Sequence, residues 1–330
     1  MTPMKTLTAH VDYVTEPGGS PDPLGFVLDA MAQPGSLLLL ALGAVVVLAA
    51  VVAWARWRPM EAARRRLIDR TDDYHEYLPW IVRLSVGLVL IGSGLSRVQL
   101  LPTEPAGGLA ALLLTATGFL LLLGLAVRPA AVVALGVYVV TLVGHPELVM
   151  MLDVAGALAV AAVLGPGRPS VDDLLRAAFP RGPGAKAVTT NLARDGYGDL
   201  VPLLVRLGLG GAFVASGIVD KVIIYEQALA AVDKYGLTSV VPVSPELWVL
   251  GAALVETALG LAILLGVLTR FSAAVGFAVL TLALFALPDD PVIAHVSLFG
   301  LSSVLVILGG GRWSLDRLVL EPIAARLRRA

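Results

Sequence analysis

Glu256 puts a carboxyl group near the middle of an apolar stretch that runs over residues 246–267. A carboxyl group in such a place is expensive unless it is protonated, paired or turned toward a wet cavity, so it is a candidate catalytic acid or base. The competing reading is a hydrogen-bonded residue that locks helix packing. His295 lies about a turn inside the last apolar stretch, where an imidazole can exchange protons with a bound molecule or ligate haem. Its one plausible companion for haem is His145, which belongs to a turn. Asp220 and Lys221 close the apolar stretch 201–219, with Tyr225 just beyond. These three line the mouth of a binding pocket above Glu256, or they merely solvate a helix end. Asp153 and Arg97 offer a second pocket in the N-terminal half. Arg83 and Arg206 fall one turn inside the ends of two stretches, where snorkelling to the interface accounts for both.

The elements that position these groups follow from composition. Apolar residues make up 57% of the 330-residue chain and charged residues 15%, against about a quarter charged in soluble domains. The mean hydropathy is +0.85. Runs of about 18 or more apolar residues indicate membrane spans. The pattern predicts an all-α polytopic membrane protein with about nine transmembrane helices. They fall near 36–55, 79–98, 107–126, 129–145, 147–165, 201–219, 246–267, 271–287 and 291–309. Net charge is −1, and Lys and Arg sit at helix ends rather than in one basic patch, so no nucleic-acid partner is expected. The lipid bilayer is the expected partner. There is no cysteine, which excludes a dithiol redox centre, a cysteine-ligated iron–sulfur cluster and a thiolate metal site in this polypeptide. No metal site is expected.

Charge asymmetry gives an orientation. Arg56, Arg58, Arg64, Arg65, Arg66 and Arg70 follow the first span. Taking that cluster as cytoplasmic, alternation puts Arg128, Arg168, Arg176, Arg270, Arg312 and the basic tail on the same side. Glu104, the His145–Pro146–Glu147 turn, the 220–246 stretch and Asp289–Asp290 fall on the other. The positive-inside rule then predicts a multi-pass protein of the cell membrane with its N-terminus outside and its C-terminus cytoplasmic.

Two halves of the chain align. Residues 77–97 match 200–220, with Pro79, Arg83, Gly87, Ser93 and Gly94 on Pro202, Arg206, Gly210, Ser216 and Gly217. Gly118, Gly124 and Arg128 fall on Gly260, Gly266 and Arg270, and Arg168, Ser170 and Asp172 on Arg312, Ser314 and Asp316. The expected fold is two parallel four-helix repeats plus one N-terminal helix. The corresponding division is a polar outer segment 1–35, a first helix and basic linker 36–76, repeats over 77–175 and 200–318 joined by 176–199, and a basic tail 319–330. Leu114 falls where the second half has Glu256, and Asp153 where it has Ser297, so the second half is the better candidate for a site.

The blocks "RLGLGGAFVASGIVDK" (206–221), "ETALGLAILLGVLTRFSAA" (256–274) and "GGGRWSLD" (309–316) resemble the DoxX family of membrane proteins. Residues 77–174 resemble a diverged second unit. The resemblance implies a four-helix membrane bundle associated with redox chemistry near quinones. One branch of the wider family is the membrane subunit of thiosulfate:quinone oxidoreductase. Glu256 matches the glutamate that heads the family's E-x-x-L-G block. The function so implied is a membrane subunit of a quinone-linked oxidoreductase, with quinone as cofactor and a small redox subunit as partner. A non-catalytic scaffold or assembly factor is the alternative, and a transporter of small molecules or lipids the third.

Overall fold

The structure is a computed structural model, and it describes residues 22–37, 73–95, 109–179 and 198–320, with isolated positions between 41 and 71. The expected span at 36–55 falls mostly outside the described residues, as do Arg97, most of the 56–70 basic cluster, the 180–197 linker and the tail beyond 320.

Eleven α-helices are described: α1 Pro23–Ala32, α2 Leu78–Leu95, α3 Leu109–Leu123, α4 Val127–Gly144, α5 Leu152–Leu164, α6 Val171–Ala178, α7 Leu200–Ala215, α8 Tyr225–Lys234, α9 Pro245–Leu265, α10 Thr269–Ala286 and α11 Val292–Leu308. The caps explain several boundaries. Ser244 accepts a hydrogen bond from the Leu247 N–H at 3.2 Å with Pro245 in the first turn, and Gly266 ends α9 in the left-handed region. Asp22 and Pro23 start α1 in the same manner.

Six helices are long and apolar enough to cross a membrane: His75–Gly94, Val127–Gly144, Pro146–Leu164, Leu200–Ile223, Pro245–Leu265 and Thr269–Ala286. The chain is a multi-span, all-α membrane protein. The expected nine spans are therefore corrected to six among the described residues. At about 1.5 Å per residue a span needs about 20 residues, whereas α3 has 15 and α11 has 17. Counting apolar residues took in their flanking loops.

The expected pair of four-helix repeats is corrected as well. Helices α2, α5, α7 and α11 pack on one another in a central ring, with α3, α4, α9 and α10 against its outside. One continuous core runs through it, from Leu78 and Val86 to Val205, Leu209, Leu301 and Leu305. Helices of the two halves share this core instead of closing on two of their own. The outer helices α4 and α10 leave large apolar side chains such as Val140, Val143, Leu282 and Phe285 exposed, as lipid contact requires.

Arg83 and Arg206 do not snorkel; both are buried. Arg206 donates to the Ile263 carbonyl at 3.0 Å, to those of Gly310 and Trp313 at 3.1 Å each, and to that of Leu264. Arg83 donates to the Pro169 carbonyl at 2.7 Å. Arg206 thus ties carbonyls of the last turn of α9, Ile263 and Leu264, to those of the loop after α11, Gly310 and Trp313. A Cβ at Gly124 or Gly266 would collide with the guanidinium of Arg83 or Arg206, so these glycines make room for it.

Candidate functional site

The site grows from a close crossing of α7 and α9. A Cβ on Gly260 would stand 2.7 Å from the Gly210 carbonyl oxygen, and one on Gly217 2.4 Å from Thr257 Oγ1. Small residues let backbones in a bilayer approach this far, where packing drives association. Gly217 and Thr257 are the chain neighbours of Ser216 and Glu256, so the crossing brings those two side chains together.

The second device is a π-helical segment, Ser216–Ile223, which continues α7. Its wider turn is marked by the Ile224 N–H donating to the Val219 carbonyl at 2.8 Å. In an α-helix residues 216 and 221 would point about 140° apart, whereas the wider π turn, with its i to i+5 hydrogen bond, brings them toward the same face. Lys221 is thereby swung over Ser216. Its ammonium stands 2.8 Å from Glu256 Oε2 and 3.3 Å from Ser216 Oγ. Ser216 Oγ is 3.1 Å from both Glu256 Oε2 and Asp220 Oδ2. The side chains of Lys221 and Glu256 are only 15% and 19% exposed, so the pair is largely withdrawn from solvent.

The connection from α10 to α11 closes the group. Asp290 Oδ2 lies 3.4 Å from His295 Nε2, and both side chains are buried. His295 is within electrostatic reach of Glu256 and Lys221, and Asp290 of Lys221 and Asp220. Burial pushes the Asp290 carboxyl up to about 7; Asp220 adds to the rise and Lys221 opposes it. Asp290 Oδ1 is buried with no hydrogen-bond partner among the described residues.

Of the expected site residues, Glu256, His295, Asp220 and Lys221 come together. Tyr225 stands beside them in a different role, with its ring stacked on Phe26 at 4.3 Å. Asp153 belongs elsewhere: it accepts a hydrogen bond from Ser297 across α5 and α11, and the expected partner Arg97 lies outside the described residues. His145 pairs with Glu147 at 2.9 Å. Sequence reasoning missed two members, Ser216 and Asp290. Asp290 stood in a loop dipeptide, and nothing in the sequence distinguishes it from Asp289. Helix α1 was also missed. It packs on α9 and the π segment, and Gln33 Nε2 donates to Glu246 at 3.0 Å. The Asp22–Pro23 start was its available signal.

Residues 201–289 match the DoxX family. The chain is a DoxX-like multi-span membrane protein. The matched segment holds Ser216, Asp220, Lys221 and Glu256, and stops just before Asp290 and His295. The DoxX-like match covers one unit; residues 77–175 and the closing block 309–316 lie outside it. Comparisons with curated proteins and with solved structures return no match.

Proposed function

We propose that this DoxX-like chain is the membrane subunit of a quinone-linked oxidoreductase, and that Lys221, Glu256, Asp290 and His295 exchange protons at its quinone site. The observation that carries the reading is the Lys221–Glu256 ion pair, 2.8 Å long, built into the spanning helices near the buried Asp290 carboxyl, whose Oδ1 has no hydrogen-bond partner among the described residues. Intramembrane ionisable groups mark ion and proton pathways.

The residues suit a quinone. Lys221 and His295 offer N–H donors to a ring carbonyl, and Glu256 and Asp290 offer acceptors to a quinol hydroxyl. A bound quinone would supply the electron-accepting chemistry and carry it into the lipid pool. The chain's own groups bind the polar head, hold it at the bundle end and manage its protons. Asp290, with its carboxyl near neutrality, is suited to both taking and giving a proton at working pH. The cysteine-free chain brings no thiol, so electrons come from a small redox subunit. In this reading Asp289, α8 and α1 face outward and the turns at Arg128 and Arg270 face the cytoplasm.

Gentle purification of the native chain, with mass spectrometry of everything that accompanies it, tests the assignment. Quinone and a small redox protein are expected, both lost from Glu256→Gln. Ordinary lipid alone would leave the scaffold reading in its place.

A further inference from the structure

Lys221 and Asp290 each keep one hydrogen-bonding capacity that no described residue meets. A lysine ammonium has three N–H donors. That of Lys221 gives one to Glu256 Oε2 at 2.8 Å and one to Ser216 Oγ at 3.3 Å, and a third acceptor is absent among the described residues. The side chain is 15% exposed, so the remaining donor is open to a ligand. Asp290 offers the opposite chemistry. Its Oδ2 faces His295 Nε2 at 3.4 Å, while Oδ1 has no hydrogen-bond partner among the described residues. The residue is only 7% exposed, and an acceptor held from water without a donor is costly. Lys221 and Asp290 do not bond to each other, yet each lies within the other's electrostatic reach.

A ligand that meets both needs with one atom must accept from Lys221 and donate to Asp290. A carbonyl oxygen only accepts, and an ammonium only donates. A hydroxyl does both. The surroundings also select against charge, because an anion would meet Asp220, Glu256 and Asp290, and a cation would meet Lys221. A neutral hydroxyl carried by a molecule soluble in the bilayer fits these demands.

We infer that Lys221 and Asp290 together recognise a neutral ring hydroxyl, so that the site selects the reduced quinol over the oxidised quinone. The identity of the ligand rests on the oxidoreductase reading, while the demand for a hydroxyl rests on the two open hydrogen-bonding groups alone. Asp290 must be ionised to accept. Lys221 and Asp220 of the π segment and His295 of α11 face it, with Glu256 of α9 behind Lys221. Lys234 of α8 is taken up by the neighbouring Asp289 at 2.8 Å. Above about 7 the Asp290 carboxylate accepts from a hydroxyl; below that value the carboxylic acid can itself donate to a carbonyl. The preference for the quinol therefore weakens as pH falls.

The test titrates the full chain in lipid nanodiscs, without oxygen, with a decyl-substituted benzoquinone, its quinol and the redox-inert para-decylphenol, above and below pH about 7. At the higher pH the quinol and the phenol should bind about 10- to 100-fold tighter than the quinone. That margin should shrink at the lower pH. Asp290→Asn should erase it without abolishing quinone binding, because an amide offers a donor to a carbonyl as readily as an acceptor to a hydroxyl. The comparison of the three compounds on the native chain needs no variant to fold. Equal affinity for quinone, quinol and phenol overturns the inference and leaves the oxidoreductase reading standing, and a margin that survives Asp290→Asn overturns it too. Binding of the phenol with neither benzoquinone form supports the hydroxyl site and removes the quinone reading. No saturable binding of any of the three overturns both.

Discussion

Lys221 Nζ and Glu256 Oε2 meet at 2.8 Å across the α7–α9 crossing, although they leave their helices at different depths. The long lysine stem reaches back along the bundle to a carboxylate near the middle of α9. Removing one partner of such a pair leaves the other charge buried alone, which typically costs about 3–5 kcal/mol. Lys221→Met and Glu256→Gln should each lower the thermal midpoint of the detergent-solubilised protein. The double variant should lose less than the sum. Strict additivity would show that the pair is not coupled.

The α7–α9 crossing leaves no room for a methyl group. Gly260→Ala should cost about 1–3 kcal/mol through overpacking, because its Cβ would meet the Gly210 carbonyl oxygen at 2.7 Å. Gly251→Ala on the same helix meets nothing within 4 Å and should be nearly neutral. Equal denaturation midpoints for the two variants would contradict the crossing.

Arg206→Lys is expected to be as damaging as loss of the side chain. A lysine cannot reproduce the planar fork that serves four carbonyls at once. Each carbonyl left buried without a donor costs about 1–3 kcal/mol. Expression and thermal stability of Arg206→Lys near the native values would restore the snorkelling reading.

Stability should fall as pH rises toward neutrality. The Asp290 carboxyl is lifted from its ordinary value near 4 to about 7 in the folded protein. Between these values the folded state binds more protons than the unfolded state, so unfolding free energy declines with pH and levels off above about 7, by an amount on the order of a few kcal/mol. Asp290→Asn should flatten that slope. A denaturation series across this pH range reads it directly, and an unchanged slope in the variant would remove Asp290 as its cause.

Orientation is open to labelling, because the chain has no cysteine of its own. Val240→Cys, at a strongly exposed position beyond α8, should react with an impermeant thiol reagent added outside whole cells. Arg168→Cys should react only after the cells are opened. The reverse pattern would invert the topology.

Much of this architecture was legible in the sequence, and the exceptions have physical causes. Hydropathy revealed α4, α5, α7, α9 and α10 because each carries a long apolar run, but it cannot separate a helix from apolar loop ends, which is how α3 and α11 were overcounted. Glu256 stood out because a carboxylate amid leucines is costly wherever it points. Lys221 was named too, at the mouth of a pocket above Glu256, but its direct ion pair with that carboxylate was not foreseen. Lys221 reaches it only through a π turn, and no residue pattern marked that turn. The two buried arginines were misread because a glycine leaves no trace of what fills its missing Cβ. Gly124 and Gly266 stood only as matched positions of the two aligned halves, and the guanidinium groups of Arg83 and Arg206 occupy the space a Cβ there would need.

The most direct test of the central claim is a quinone titration of the full chain in lipid nanodiscs, comparing native protein with Glu256→Gln at a temperature where both are fully folded. A charged hydrogen bond contributes about 1.5–3 kcal/mol. The account therefore predicts saturable binding by the native chain and affinity roughly 10- to 100-fold weaker in the variant. No saturable binding to the native chain, or equal affinity in both proteins, would contradict it.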